Sequence, residues 1–479
     1  MFGVEGLTAS LLFAIIVSAF GSAFQHGYNT GVVNAPQAVI EKWIASLMQS
    51  NETAGNATAM SSEELKSQAT FIFSTIVSIY CLGGMVGGAL TNIWSNIFGR
   101  KWGLVWNNLF IFISAAMMGL SKQSGSYVML IVGRFFVGVN NGLNPGLASM
   151  YLSEISPISL RGGVGSMYQL FLTISILIAQ IVSHGAMLGT DESWPLLFVV
   201  IVIPALLQTL LLPFCGDSPR YLMEKNREEA SKNALIWFRR TDNVQAELAI
   251  IKSESQAERT VGKVPLTELL TNPMLRAPLL ISCVIMLGQQ FSGINAVIFY
   301  STSTFKEVKM DDASAQMGTL LIGVMNVFMT VISTLIVDKA GRKTLLAIGF
   351  GSMAVDTIIL CICLVLAKVN LTFGYASIVF VVLFVVLFAI GPGSIPWFLM
   401  TELFLPNARQ QAISIAVAVN WLSNYVVSVT FLPLQQMLQA YVFVIFVILQ
   451  VFFAMYVLLK VPETKNRKIE DIIKEFQPK

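Results

Sequence analysis

The sequence predicts an all-α membrane protein with twelve spans arranged as two six-helix halves. Three observations carry this. Hydrophobic residues make up 55% of the 479 residues and charged ones only 12%, whereas a soluble chain carries about a quarter charged residues. Twelve separate runs reach the roughly 20 apolar residues that a span needs. Three short polar signatures also recur, once each and in order, across the middle of the chain.

The runs follow in order. The first, 9–34, lacks the basic start and small-residue cleavage site of a signal peptide, so it is expected to be a retained span. Its Ser18, Ser22, Gln25 and Asn29 fall at helical steps on one face. Runs 70–93, 102–121 and 126–150 follow, the last enclosing Arg134. Run 163–185 carries Ser166, Gln169, Thr173, Gln180 and His184 on one face, and 194–214 closes the first half. The stretch 215–273 is polar and basic, with short amphipathic helices such as 227–240, and reads as a linker. In run 274–303 an ideal helix sets Gln289 and Asn295 about 240° apart; they converge with Gln290 if the helix opens near Ser292-Gly293. Run 315–338 aligns Asn326, Thr330 and Thr334. Run 344–367 holds Asp356, a mid-span acid expected to pair with a neighbouring helix. Run 374–402 contains Gly391-Pro392-Gly393-Ser394-Ile395-Pro396-Trp397, where lost backbone donors and flexible glycines predict a break. Runs 411–433 and 440–460 complete the set. The expected units are 1–214, 215–273, 274–460 and a tail at 461–479.

Of the 30 Lys and Arg residues, all but Lys42, Lys66, Lys122, Lys306, Lys309, Lys368 and the intramembrane Arg134 fall on the side of the termini. The positive-inside rule then makes both termini cytoplasmic. The sequons at Asn51 and Asn56 fall on the outer side, as expected for glycosylation. The net charge of +3 predicts no nucleic-acid partner. The five cysteines lack metal-ligand spacing, so no metal and no cofactor are expected.

Phe98-Gly99-Arg100-Lys101 returns as Ala340-Gly341-Arg342-Lys343, Glu154 with Arg161 as Glu402 with Arg409, and Asp217-Ser218 as Glu463-Thr464, each about 245 residues later. A duplicated six-helix half with parallel topology is the major facilitator architecture, whose substrate site lies near the midplane between the halves.

Buried amides are costly unless paired, and their number here favours a polar path. A hexose offers hydroxyls that donate and accept and apolar C–H faces, which suits neutral amides and an aromatic plate such as Trp397.

Gly27-Tyr28-Asn29-Thr30-Gly31, Gln289-Gln290-Phe291-Ser292-Gly293-Ile294-Asn295-Ala296, the run from Gly391 to Trp397 and Val461-Pro462-Glu463-Thr464-Lys465 together resemble the facilitative glucose transporters, a sugar-porter family, over about residues 10–470. The resemblance implies sugar contacts at Gln169, Gln289, Gln290, Asn295, Asn326 and Trp397, and an outer lid at Tyr300. It also implies ion pairs among Arg100, Glu154, Arg161, Arg342, Glu402 and Arg409 that close the inner side. There are departures. Ala389 stands where glucose carriers usually have Glu, and Met286-Leu287-Gly288 is closer to fructose-carrying relatives, whereas Trp397 resembles the glucose carriers. Glucose is favoured and fructose stays open.

The expected function is facilitated hexose diffusion by alternating access in the plasma membrane, with the hexose and the lipid bilayer as partners and the oligomeric state left open. A proton-coupled symporter is an alternative, but Asn29 cannot titrate where such relatives place an Asp opposite Arg134. A non-transporting sugar receptor is a second alternative. It is expected to carry a long signalling tail, and 461–479 is short. An enzyme is not expected, because no nucleophile, base and orienting group sit together and His26 and His184 are isolated in the sequence.

Overall fold

The computed structural model describes residues 7–55, 61–157, 160–261, 264–308, 310–336, 341–465, 467, 472 and 475–476. Asn56 lies outside the described residues, as do the side chains of Asn51 and Arg161.

The first half consists of α1 (Ala9–Gly31), an outer-loop helix α2 (Gln37–Gly55), α3 (Ser62–Phe98), α4 (Lys101–Leu120), α5 (Tyr127–Ile155), α6 (Arg161–Val182) and α7 (Trp194–Phe214). The linker folds into α8 (Pro219–Glu224), α9 (Glu228–Arg239), α10 (Gln245–Val261) and α11 (Leu266–Thr271). The second half comprises α12 (Pro273–Phe291), α13 (Ile294–Glu307), α14 (Asp312–Ile336), α15 (Arg342–Leu366), α16 (Leu371–Ile390), α17 (Ile395–Glu402), α18 (Pro406–Leu438) and α19 (Val442–Lys460). No strand occurs among the described residues.

Among the described residues ten stretches are long and apolar enough to cross a membrane, and one of them, Asn407–Lys460, contains two helices, α18 and α19. The helix α5 is long enough but is made polar by Arg134, Asn140, Asn141 and Asn144. Counting both, the fold has the twelve spans that the sequence predicts.

The local signals for these elements are physical. Ser61 and Glu64 form a reciprocal capping box at the start of α3, where four backbone donors would otherwise be orphaned. Asn272 caps α12 with Pro273 as its first residue, and Asn370 caps α16. The two breaks fall where the sequence places them. α12 gives way to α13 at Gly293, whose φ of +98° is open to glycine and costly for other residues, and α16 gives way to α17 across Gly391–Ser394.

Helices α3 and α5 touch backbone to backbone. A Cβ on Gly138 would lie 2.2 Å from the Tyr80 carbonyl oxygen, and one on Gly83 would lie 2.2 Å from that of Phe135. Gly138→Leu is therefore expected to cost at least about 3 kcal/mol by overpacking. The readout is loss of the monodisperse peak in size-exclusion chromatography of detergent-solubilised protein. A variant that elutes and melts like the unaltered protein would disprove this contact.

Among the described residues the halves are joined by α3 with α18, α6 with α14, and α1 with α13. The largest apolar core runs through both halves, from Tyr28 and Tyr80 to Tyr300, Trp421 and Phe431.

Candidate functional site

The break between α12 and α13 brings the amides of the seventh span together. Asn295 donates to Gln290 Oε1, and Gln290 Nε2 donates to Asn420 Oδ1 at 3.0 Å. Asn420 Nδ2 donates to Gln289 Oε1 at 2.8 Å and to the Met286 carbonyl at 2.9 Å. Gln289 Nε2 then donates to the carbonyls of Pro392 and Gly393, both at 2.8 Å. One continuous network thus ties the break in one span to the break in another, through an α18 residue that the sequence reading missed. The signal that could have found it is the stripe of Asn420, Asn424 and Ser428 at helical steps of four in run 411–433.

Three of the expected sugar contacts keep open surfaces. Gln169 on α6 is exposed and Asn326 on α14 is half-buried, and neither side chain has a protein hydrogen-bond partner among the described residues. Trp397 on α17 is 40% exposed, which suits a plate that packs against a ligand rather than a core residue. Ala389 is half-buried two residues before the break at Gly391.

The first-half amides behave differently. Gln25 Nε2 donates to Asn108 Oδ1 at 2.8 Å and to Gln208 Oε1 at 3.3 Å, Asn144 Nδ2 donates to Gln25 Oε1 at 3.4 Å and to Asn140 Oδ1 at 2.9 Å, and Asn107 Nδ2 donates to Asn144 Oδ1 at 2.9 Å. All of these residues are buried. The polar stripe of the first span is therefore largely consumed in holding α1, α4, α5 and α7 together, because amides can satisfy one another in lipid.

Arg134 is fully buried. Its Nη1 donates to the Asn29 carbonyl at 3.0 Å, its guanidinium lies 4.5 Å over the Tyr80 ring, and it has no carboxylate partner among the described residues. Asp356 departs from expectation: it is 3% exposed and neither carboxylate oxygen has a hydrogen-bond partner among the described residues, so the expected pairing with a neighbouring helix is not seen there.

On the side opposite the termini the halves meet. Asn34 Nδ2 donates to the Ile298 carbonyl at 2.6 Å and to Ser301 Oγ at 2.8 Å, and the Thr302 amide donates to Asn34 Oδ1 at 3.1 Å. Gly185 N donates to Gln316 Oε1 at 3.1 Å nearby. Tyr300, on the same helix α13, is fully buried, donates to the Ser428 carbonyl at 2.8 Å and stacks on Phe431 at 5.6 Å.

On the side of the termini the recurring signatures build the same device twice. Arg100 Nε donates to Glu154 at 3.1 Å while Ser218 Oγ donates to the other carboxylate oxygen. Arg342 Nη2 donates to Glu402 at 3.1 Å while Thr464 Oγ1 takes the place of Ser218. The preceding acids, Asp217 and Glu463, accept from the Ser218 and Thr464 amides at 2.8 and 3.0 Å. Burial raises the Asp217 carboxyl above its ordinary range, opposed by its bond from Ser218 and by Lys101 and Arg100.

Among the described residues each of these ion pairs lies within one half, Arg100–Glu154 in the first and Arg342–Glu402 in the second. Arg409 instead donates to the Phe404 carbonyl at 3.2 and 3.1 Å. Among the described residues a neutral bridge joins the halves on this side, with Gln410 Nε2 donating to Asn92 Oδ1 at 2.6 Å.

Two helical halves, a neutral polar network at paired helix breaks and contacts that close one side define a membrane transporter of the major facilitator fold. The same architecture is found in the inward-open xylose transporter XylE from E. coli, with a TM-score of 0.79 at 25% identity, covering 97% of this chain and 99% of that one. The proton:xylose symporter XylE bound to 6-bromo-6-deoxy-D-glucose gives 0.75 at 25% identity, covering 98% and 99%.

The chain belongs to the sugar transporter family: the family model described as sugar (and other) transporter matches residues 14–476. It is 40% identical over 474 residues to solute carrier family 2, facilitated glucose transporter member 1 of Gallus gallus, covering 98% of this chain and 94% of the relative. It is 39% identical over 480 residues to member 3 of Mus musculus, covering 99% and 94%.

Proposed function

We propose that the chain is a facilitative hexose uniporter of the plasma membrane, with glucose as the favoured substrate, fructose as a second one, and both termini cytoplasmic. The network of Gln289, Gln290, Asn295 and Asn420 supports this reading most strongly. It is neutral, it lies where two broken helices meet, and it is joined to the exposed Trp397 through the Gly391–Ser394 break. Sugar enters between the halves, engages these amides with Gln169 and Asn326, and packs on Trp397. The halves then rock about the α3–α18 and α6–α14 contacts.

With the termini inside, the Asn34 contacts close the outer face. The Arg100–Glu154 and Arg342–Glu402 clamps, with Arg409, stiffen the helix ends that must part on the inner face. Asn51 and Asn56 would carry glycans outside.

Asn29 and Arg134 support uniport. The guanidinium is held by backbone carbonyls and an aromatic ring, and among the described residues no acid pairs with it to carry a proton. The test is uptake of labelled glucose and fructose into liposomes holding the purified protein, with and without an imposed pH gradient. Equilibration in either direction, indifferent to the gradient, supports uniport. Accumulation only with inward proton flow would overturn it and make Asp356 the carrier.

Trp397→Ala is expected to raise the KM for sugar about three- to tenfold by removing the aromatic plate, with Trp397→Phe intermediate. Unchanged KM in both variants would remove Trp397 from the site.

A further inference from the structure

The outer part of the α6–α14 seam, where the two halves touch, holds a polar atom with nothing to bond. Gln180 of α6 is 3% exposed, and its Oε1 is buried with no hydrogen-bond partner among the described residues. It lies against Gly323 of α14, where a Cβ would overlap that oxygen and stand 3.0 Å from Leu177 Cδ1. Its neighbour across the seam is thus a glycine backbone, which offers Cα hydrogens and a weak contact at best. Just beyond the end of α6, the Gly185 amide donates to Gln316 Oε1 of α14 at 3.1 Å. The seam therefore pairs one glutamine oxygen and leaves the other unmet.

An amide oxygen taken out of water and left unbonded destabilises the state that buries it. The two walls of this seam belong to different halves, so the cost exists only while the outer face is closed. Parting α6 from α14 returns the oxygen to water. We propose that Gln180 is a positioning residue for the transport cycle, one that opposes closure of the outer face and offsets part of the Asn34 contacts that hold it shut. It acts through Gly323, whose missing side chain admits the amide to the seam. Three hydrogen bonds and the packing around Tyr300 close this face, and closure left unopposed would hold the carrier in one state. The proposal rests on the alternating-access reading and adds to it a residue that sets the balance between the two states.

The experiment follows hydrogen exchange over residues 298–302 of α13 in the full-length protein reconstituted in liposomes. That segment reads closure at the α1–α13 contact, to which neither Gln180 nor Gly323 belongs. The variants are Gln180→Leu, Gln180→Glu and Gly323→Ala. Leucine is shorter and has no polar atom, so closure no longer strands an acceptor, and exchange should slow about tenfold. Glutamate keeps the shape but brings a carboxylate that is costlier still to bury, so exchange should quicken about tenfold at neutral pH. Alanine at 323 sets a methyl where the oxygen sits and should quicken exchange too. A Gln180 that merely fills space gives a different pattern: the smaller leucine loosens the seam and quickens exchange, while glutamate, of the same shape, changes nothing. Exchange that fails to slow in Gln180→Leu, fails to quicken in Gln180→Glu, or stays unchanged in Gly323→Ala overturns the proposal. The readout uses no sugar, so it decides the role of Gln180 whatever the cargo. Failure of the unaltered protein to take up hexose would overturn the transport reading separately.

Discussion

Gln289→Ala is expected to lower hexose uptake at least about 30-fold. The side chain uses both donors and one acceptor site at the helix break: two donated bonds to the Pro392 and Gly393 carbonyls, and one accepted from Asn420. Those carbonyls are free because the helix is interrupted there, and the residue is only 4% exposed, so water does not readily replace it. Leaving two such acceptors unmet costs about 1–3 kcal/mol each, and every 1.4 kcal/mol is a factor of ten. Part of the loss should appear as a lower melting temperature, because Gln289 holds the second half together, and part as a higher KM. Gln289→Glu should resemble alanine rather than glutamine, since a carboxylate faces two carbonyls with no proton to give. Labelled-sugar uptake into liposomes, with thermal unfolding of the same preparations, decides the matter. Uptake within threefold of the unaltered protein would mean that the network is not part of the site.

The legible and illegible parts of this site divide along physical lines. Both helix breaks could be read because glycine and proline act through the backbone, wherever the rest of the fold lies: the φ of +98° at Gly293 and the interruption after Ile390 are local requirements. The duplicated Arg–Glu signatures were legible as residues but not as geometry. Sequence gives sign and spacing, whereas which helix end an arginine reaches depends on the loop path, and here Arg100 and Arg342 turn back onto their own halves.

The amides were the hardest to assign. Gln25 and Gln289 look alike in sequence, each a costly polar group in an apolar run. Gln25 is met by other first-half amides, while Gln289 is met by the carbonyls of a broken helix. Only the three-dimensional partner separates a scaffold amide from a site amide. His26 was set aside as isolated in sequence because its neighbours, Tyr168 and Trp421, come from other helices.

The second large effect is expected at Asn34, which is 1% exposed and makes three hydrogen bonds to α13 across the halves. Asn34→Ala removes all three without adding bulk, and at about 1 kcal/mol each the balance between closed and open outer faces should move about 100-fold toward open. Asn34→Asp should open it as well, because a carboxylate cannot donate to the Ile298 carbonyl. The direct readout is hydrogen exchange of the Thr302 amide, whose acceptor is Asn34 Oδ1. Exchange over residues 298–302 should quicken by about the same factor in reconstituted protein, while the buried α3–α5 interface stays unchanged. A uniporter completes its cycle only by returning through the outward-closed state, so destabilising that state should also slow net uptake while increasing binding of sugar from outside. If exchange at 298–302 stays within threefold of the unaltered protein, the Asn34 contacts do not hold the outer face shut, and closure must rest on the apolar packing of Tyr300 and Phe431 instead.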